Sequence, residues 1–177
     1  MTRRWFCLAA AILFLGGCAA AGRPAAPADM LVIPGVPDFQ EQTRRDDCAG
    51  VALASLLAHA GITAAPAAID AAVYDERLGG ALLADLENFA VGLGAKAQSG
   101  RGSLAGLRQL LGAGRPVLVP LDLGWSLWRR PHYVVLFGFN ERSLLLRLRA
   151  NQTRIISAEE FERRWTAMGR LFLYLEG

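Results

Sequence analysis

Cysteine and histidine are scarce in this chain of 177 residues, which has three cysteines and two histidines. Cys7 lies within an apolar run at the N-terminus and Cys18 follows that run, so Cys48 is the only cysteine in the body of the chain. A single cysteine there excludes an internal disulfide, and its thiol needs another explanation. The sequence also lacks three candidate ligands at a spacing that suits a metal, and we expect neither a metal nor another cofactor.

An internal repeat and a basic stripe interleaved with aromatic residues are also absent from the sequence. The formal net charge is +3, and Arg3 and Arg4 in the N-terminal segment supply two of the positive charges; without them, 17 basic residues face 16 acidic ones. This balance predicts no nucleic-acid partner. The length suffices for one domain with a sizeable core and is too short for two.

The first 17 residues have the pattern of an export signal. Two arginines precede an apolar run that is too short to span a bilayer permanently. The run ends in Leu15-Gly16-Gly17-Cys18, which resembles the lipobox of bacterial lipoproteins. We predict a lipoprotein signal peptide over 1–17, a lipid on Cys18 that attaches the chain to a membrane, and a flexible tether over 18–30. The alternative is an ordinary secretory signal or an anchor helix.

The residue after Cys18 bears on the localisation. An Asp at this position is the usual signal that retains a lipoprotein in the inner membrane, and this chain has Ala19 instead. The resemblance to lipoproteins therefore implies the cell envelope, with the chain on the outer membrane and facing the periplasm.

Periodicity, capping residues and turn residues predict one domain over 31–177. The predicted helices span 48–60, 63–74, 81–93, 103–111 and 157–165. The predicted strands span 31–34, 95–98, 117–120, 132–139, 144–149, 151–156 and 170–175. Because the helices come first and the antiparallel strands last, the expected fold class is α+β.

Cys48 is predicted to lie on the first turn of a buried helix. Apolar residues recur after it at helical spacing, and Gly61 ends the run. Asp46 and Asp47 directly precede the cysteine, so we interpret them as helix caps and not as catalytic acids. The helix dipole and the unpaired amide groups of a first turn favour the thiolate, which is the nucleophilic form of cysteine.

Thiolate attack on a carbonyl needs a nearby base and a donor to the oxyanion. His59 lies on the same predicted helix as Cys48, roughly 16 Å along its axis, which is too far for proton transfer. His132 begins a predicted core strand after a loop, a usual place for a site residue, although a structural histidine at a strand edge has the same pattern. Gln42 is a candidate oxyanion donor, because its side-chain amide can fold back beside the sulfur.

Gln42, Cys48 and His132 occur in the order of papain: glutamine, cysteine, histidine. The matching motifs are Gln42, Asp47-Cys48-Ala49-Gly50-Val51-Ala52-Leu53-Ala54-Ser55-Leu56-Leu57, Gly61, Arg115-Pro116-Val117-Leu118-Val119, Pro131-His132-Tyr133-Val134-Val135-Leu136-Phe137-Gly138-Phe139, and Glu160-Phe161 with Trp165. At these motifs the chain resembles the papain-like cysteine peptidases of the bacteriocin-processing type (clan CA, family thirty-nine). The resemblance covers nearly all of 36–175, and the chain looks most like the stand-alone, exported lipoprotein members.

The resemblance implies a papain-like fold, in which N-terminal helices pack on a C-terminal antiparallel sheet. It also implies a hydrolase with Cys48 as the nucleophile, His132 as the general base and Gln42 as the oxyanion donor. The implied partner is a peptide or protein substrate, and we expect the chain to be a monomer.

Two positions depart from the family pattern. The family usually has Cys-Gly-Pro where this chain has Cys48-Ala49-Gly50, which adds a methyl group beside the nucleophile. The family's third catalytic residue, an Asp on the strand after the histidine, falls near Leu148, where no carboxylate is present. Asn151 is a candidate substitute, because a hairpin centred on Glu141-Arg142 places it across from His132. The alternative is that Asn151 only ends a strand.

The loop before His132 is aromatic and cationic, with Trp125, Trp128, Arg129 and Arg130. It either lines a peptide-binding cleft or covers the core with its arginines in water.

Three functional hypotheses follow. The first is a lipid-anchored cysteine peptidase that hydrolyses peptide bonds in the bacterial cell envelope by a Cys-His thiolate mechanism. The second is a papain-like binding or assembly module with weak or no turnover, which the missing Asp favours. The third is a cell-wall endopeptidase of the NlpC type, because Asp47-Cys48-Ala49-Gly50 is similar to the Asp-Cys-Ser-Gly of that family. The second histidine usual in that family does not follow His132.

Overall fold

The computed structural model describes residues 26–39, 48–124, 128–149 and 152–176. These residues form five helices: α1 (Cys48–His59), α2 (Pro66–Val73), α3 (Leu83–Gly92), α4 (Leu104–Gly112) and α5 (Ala158–Thr166). They also form nine strands: β1 (Leu31–Val32), β2 (Tyr74–Asp75), β3 (Gly80–Ala81), β4 (Ala97–Arg101), β5 (Val117–Asp122), β6 (Pro131–Phe139), β7 (Ser143–Arg149), β8 (Gln152–Ser157) and β9 (Leu171–Leu175). Some residues with a predicted role lie outside these ranges: Cys18, Gln42, Asp46, Asp47, Trp125 and Asn151. None of the five helices combines the length and the apolar character that crossing a bilayer requires.

Seven of the strands form one antiparallel sheet in the order β4-β9-β5-β6-β7-β8, with β1 paired to the end of β6. Helix α1 packs on β6, and α5 packs on β5, β7 and β8. Strands β2 and β3 form a separate two-stranded hairpin. The prediction of an α+β fold, with helices packed on an antiparallel sheet, is confirmed.

Helix α1 lies inside the core. All of its residues from Ala49 to Leu57 are buried, and the helix packs on both α2 and β6. A helix that is apolar on every side belongs in the interior of a domain, and the small residues of α1 allow its neighbours to approach closely. Within the described residues the helix spans Cys48–His59, and Gly61 follows its end with a φ of 79°. The candidate nucleophile therefore stands on a rigid, buried element.

The helix caps predicted at two serines are present. The hydroxyl of Ser103 accepts a hydrogen bond from the backbone of Gly106, and that of Ser157 accepts one from the backbone of Glu160. The α5 helix that Ser157 starts buries Phe161 and Trp165 completely, with their ring centroids 5.4 Å apart. Local polar signals thus mark the starts of α4 and α5, and apolar side chains hold α5 on the sheet.

The structure differs from the sequence-based expectations at two places. The strand predicted over 95–98 is β4, which begins two residues later and pairs with β9 over its whole length. Its polar residues conceal it, because an edge strand lacks the apolar alternation of a core strand. The β2–β3 hairpin was not predicted, because strands of two residues have no periodicity. A carboxylate closes its turn: Asp75 accepts hydrogen bonds from the backbones of Arg77 and Leu78.

A bulge in β6 changes the β6–β7 register by one residue. The pairs are Gly138↔Leu145 near the turn and Leu136↔Leu146 beyond the bulge. The predicted placement of Asn151 across from His132 assumed that the first register continues, and this premise is wrong. Gly138 also allows β1 to pair here, because a Cβ on it would lie 2.8 Å from the carbonyl oxygen of Leu31. The role of Asn151, which lies outside the described residues, stays a prediction.

Candidate active site

Cys48 is the first residue of α1 and is half-buried. In the same turn, the backbone N–H of Gly50 donates a hydrogen bond to Oδ1 of Asp70, in α2, at 2.9 Å. A Cβ on residue 50 would lie 2.5 Å from this oxygen, so any larger residue would have to displace the carboxylate. Where the family usually has a proline, which lacks an N–H, this chain has a glycine whose N–H is satisfied by a carboxylate. The negative charge of Asp70 also suits the positive end of the helix dipole.

A small cavity of about 10 Å³ adjoins the thiol, with room for roughly one water molecule. Helix α1 contributes Cys48, Val51, Ala52 and Ser55, and the β6–β7 hairpin contributes Tyr133, Val135, Arg147 and Leu148. The thiol therefore lies against the hairpin whose first strand carries His132.

Tyr133 connects this cavity to the β2–β3 hairpin. Its hydroxyl donates a hydrogen bond to the carbonyl oxygen of Ala81 at 3.0 Å. Burial raises the pKa of Tyr133 far above its usual value, and the charges of Cys48 and Asp85 raise this pKa further. The phenol therefore stays protonated at physiological pH and remains a donor.

His132 is buried, with 6% of its surface exposed, and its Nε2 lies 2.6 Å from the carbonyl oxygen of Leu148. Side chains alternate along a strand, and Tyr133 lines the Cys48 cavity, so His132 starts from the opposite face of β6. On that face its cross-strand partner Leu121 lines a second cavity, of about 150 Å³. Leu148, whose carbonyl oxygen contacts the His132 ring, lines both cavities.

Arg147 joins the hairpin to the segment that precedes the cysteine in the chain. Its Nη1 donates hydrogen bonds to the carbonyl oxygens of Val36 and Pro37, and its Nε lies 3.5 Å from a carboxylate oxygen of Asp38. The guanidinium group also lies over the ring of Phe137, 4.9 Å from its centroid. Only 10% of the Arg147 side chain is exposed, so these contacts are largely shielded from water.

The loop between β5 and β6 is closed by a carboxylate. Oδ1 of Asp122 accepts hydrogen bonds from the backbones of Gly124 and Arg130. These two bonds lower the pKa of Asp122, with that from Arg130 making the larger contribution. Trp128 is 85% exposed, so it does not cover the core, and Arg129 and Arg130 are also exposed. The loop presents an aromatic ring and two cations to solvent just before His132.

The structure brings Cys48 together with the strand that carries His132, and it places both beside Leu148. The predicted contact of about 4 Å between the Cys48 sulfur and a ring nitrogen of His132 stays a prediction. His59 is half-buried at the far end of α1, where it lines a different cavity with Pro116 and Leu175.

A comparison with known protein families decides which family this is. The sequence profile of the Peptidase C39 family matches residues 38–173. The chain belongs to the Peptidase C39 family. The match spans α1, the whole β6–β7 hairpin and α5, so the resemblance inferred from the motifs is confirmed. No curated protein sequence is significantly similar to the chain.

Solved structures of C39 peptidases share the fold. A C39-like peptidase from Bacillus anthracis has a TM-score of 0.70 at 19% identity, over 84% of this chain and 98% of that one. The peptidase domain of Streptococcus ComA, a bi-functional ABC transporter in a quorum-sensing pathway, has a TM-score of 0.61 at 22% identity, over 78% of this chain and 96% of that domain. A double-glycine motif protease from an AMS/PCAT transporter, solved with its leader peptide, has a TM-score of 0.63 at 20% identity, over 81% and 93% of the two chains. The family and the fold are those of a papain-like cysteine peptidase.

Four groups at the site were missed by sequence reasoning: Asp70, Tyr133, Arg147 as an anchor, and the main-chain carbonyl of Leu148. Arg147 carried a usable signal, because an arginine inside an apolar strand is rarely buried without polar partners. Asp70 interrupts an apolar helix in the same way. A main-chain carbonyl has no signal in the sequence.

Proposed function

We propose that this chain is an active cysteine peptidase of the bacterial cell envelope, with Cys48 as nucleophile, His132 as general base and Gln42 as oxyanion donor. The main support is the position of Cys48, at the N-terminus of buried α1 and against the hairpin that carries His132. A helix N-terminus favours the thiolate, and the family implies a peptide substrate.

The proposed reaction follows the chemistry of these three side chains. His132 takes the proton of the Cys48 thiol, and the thiolate attacks the carbonyl carbon of the peptide bond. The amide of Gln42 donates to the oxyanion that forms. His132 then protonates the leaving amine, and a water molecule, activated by the same histidine, hydrolyses the acyl-enzyme.

The proposed substrate is an extended peptide that passes the loop before His132. The exposed Trp128 offers an apolar surface there, and Arg129 and Arg130 favour acidic or carboxylate-bearing peptides. One structural neighbour is a double-glycine motif protease bound to its leader peptide, which supports a peptide ligand for this fold.

The proposed location rests on the N-terminal sequence. Cleavage of the signal peptide 1–17 leaves Cys18 as a lipidated N-terminus, and the tether 18–30 connects it to the peptidase domain 31–177. Asp29, near the end of this tether, already accepts a hydrogen bond from Asn140 of the domain. Mass spectrometry of the membrane fraction tests the anchor, since an unmodified Cys18 or another mature N-terminus contradicts it.

Labelling with a thiol-reactive peptide probe, combined with cleavage of a peptide library, tests the peptidase itself. We expect the full chain to label at Cys48 and to cleave peptides, and Cys48→Ala and His132→Ala to lose cleavage. His59→Ala is the matched control and should retain both properties. Labelling without cleavage of any peptide would favour the binding or assembly module instead.

A further inference from the structure

Leu148 lies where the family resemblance places the third catalytic residue, yet its side chain cannot accept a hydrogen bond. Its main-chain oxygen, however, is 2.6 Å from Nε2 of His132. We propose that the main-chain carbonyl of Leu148 orients His132 and selects the ring nitrogen that acts as the general base, an inference that rests on the proposed function. Leu148 is then a positioning residue that acts through His132.

The two atoms fix the direction of this hydrogen bond. A carbonyl oxygen only accepts, so Nε2 of His132 must carry the hydrogen. A neutral imidazole has a single ring hydrogen, so Nδ1 is the unprotonated nitrogen and takes the proton of the thiol. Because the ring is buried, water competes poorly for the Nε2 hydrogen, and the tautomer is maintained.

Leu148 lies at a bulge in β7. In the β7–β8 ladder, Arg147 pairs with Thr153 and Arg149 pairs with Gln152, so Leu148 is the extra residue between two successive pairs. An extra residue in a bulge is left out of the regular ladder, and bulges are frequent next to active sites. On the β6 side, Leu148 follows the last β6–β7 pair, Val135↔Arg147, and its carbonyl contacts the His132 side chain of β6.

A carboxylate has two roles in a catalytic triad, and the Leu148 carbonyl takes one of them. It fixes the tautomer, and a wrong tautomer accounts for a large loss of rate when the acidic residue of a triad is replaced by its amide. It stabilises the protonated imidazole less than a carboxylate does, because it carries no net charge. The proposal therefore predicts that His132 is correctly oriented although Leu148 stands in place of the acidic third catalytic residue.

Nitrogen NMR of the full chain, labelled at its two histidines, tests the tautomer directly. Spectra are recorded on the Cys48→Ala variant at a pH about two units above the ordinary histidine pKa, and the His59→Gln variant assigns the signals. We expect the hydrogen of His132 on Nε2, and we expect Nδ1 to be unprotonated. A hydrogen on Nδ1, or a mixture of both tautomers, overturns the proposal. The result does not depend on hydrolysis, so it is distinct from a failure of the proposed function.

Two substitutions of His132 distinguish its Nε2 position from its Nδ1 position by their effect on the melting temperature. His132→Gln keeps an amide nitrogen near the place of Nε2 and can still donate to Leu148, whereas the shorter His132→Asn cannot. We expect His132→Asn to melt roughly 3–8 °C below His132→Gln, because it leaves a buried carbonyl without this donor. Equal melting temperatures overturn the proposal.

Discussion

The Cys48 side and the His132 side of the site are held by different kinds of contact. On the Cys48 side, charged side chains make the contacts: Asp70 accepts from the first turn of α1, and Arg147 binds the carbonyls of Val36 and Pro37. On the His132 side, main-chain groups make them, through the β5–β6 ladder and the Leu148 carbonyl. Side-chain substitutions should therefore disturb the two sides unequally.

The difference also bears on how each side is specified by the sequence. On the Cys48 side, Gly50 and its partner Asp70 are 20 residues apart in the sequence, and Pro37 and its partner Arg147 are 110 residues apart. The strands on the His132 side follow instead from runs of apolar residues that are contiguous in the chain. Local patterns show that Asp70 and Arg147 interrupt apolar runs but do not identify their remote partners, whereas the strands are indicated by the runs themselves.

The largest expected effect is that of Arg147→Ala. It removes two hydrogen bonds and the charge partner of Asp38, all largely buried, so we expect the free energy of unfolding to fall by about 3 kcal/mol. Urea denaturation measures this change. Arg142→Ala is the matched control, because Arg142 is exposed on the turn of the same hairpin and should change stability by less than about 0.5 kcal/mol. Equal effects of the two substitutions would show that the buried contacts of Arg147 do not stabilise the fold.

A smaller effect is expected for Gly50→Ala. The added methyl group would lie 2.5 Å from Asp70, so the carboxylate or α2 must shift, at a cost of about 1–3 kcal/mol. Gly92→Ala is the control, because a Cβ there meets no atom within 4 Å and alanine favours a helix. Thermal melting should show a loss for the first variant and none for the second. A neutral Gly50→Ala would mean that the Asp70 contact is not tightly packed.

The smallest expected effect concerns Asp122 and depends on pH. Its pKa is lowered in the folded state, chiefly by the N–H of Arg130, so its charge stabilises the fold above the unfolded pKa. This stabilisation is lost as the pH falls through the folded pKa. Asp122→Asn should therefore be slightly less stable than the parent at neutral pH and equally stable in strong acid, as followed by denaturation across pH. A difference that grows towards acid would contradict the assignment.

The sequence predicts the positions of helices and strands better than it predicts the site. Gly61 and the two serine caps mark helix ends by local chemistry, and these signals are present in the structure. The bulges near Phe137 and Leu148 cannot be inferred in this way, because a bulge depends on the partner strands and not on one run of residues. One such bulge invalidated the register assumed for Asn151, and the other lies at Leu148, whose carbonyl contacts His132.

The pH dependence of Cys48 alkylation, followed by peptide mass spectrometry, tests the central claim that Cys48 and His132 act as a pair. In the parent chain, we expect reactivity well below the ordinary thiol pKa of about 8.5, because the protonated histidine stabilises the thiolate. In His132→Gln, the low-pH reactivity should disappear and leave a single step nearer the ordinary thiol value. Identical profiles in the two chains would contradict the account.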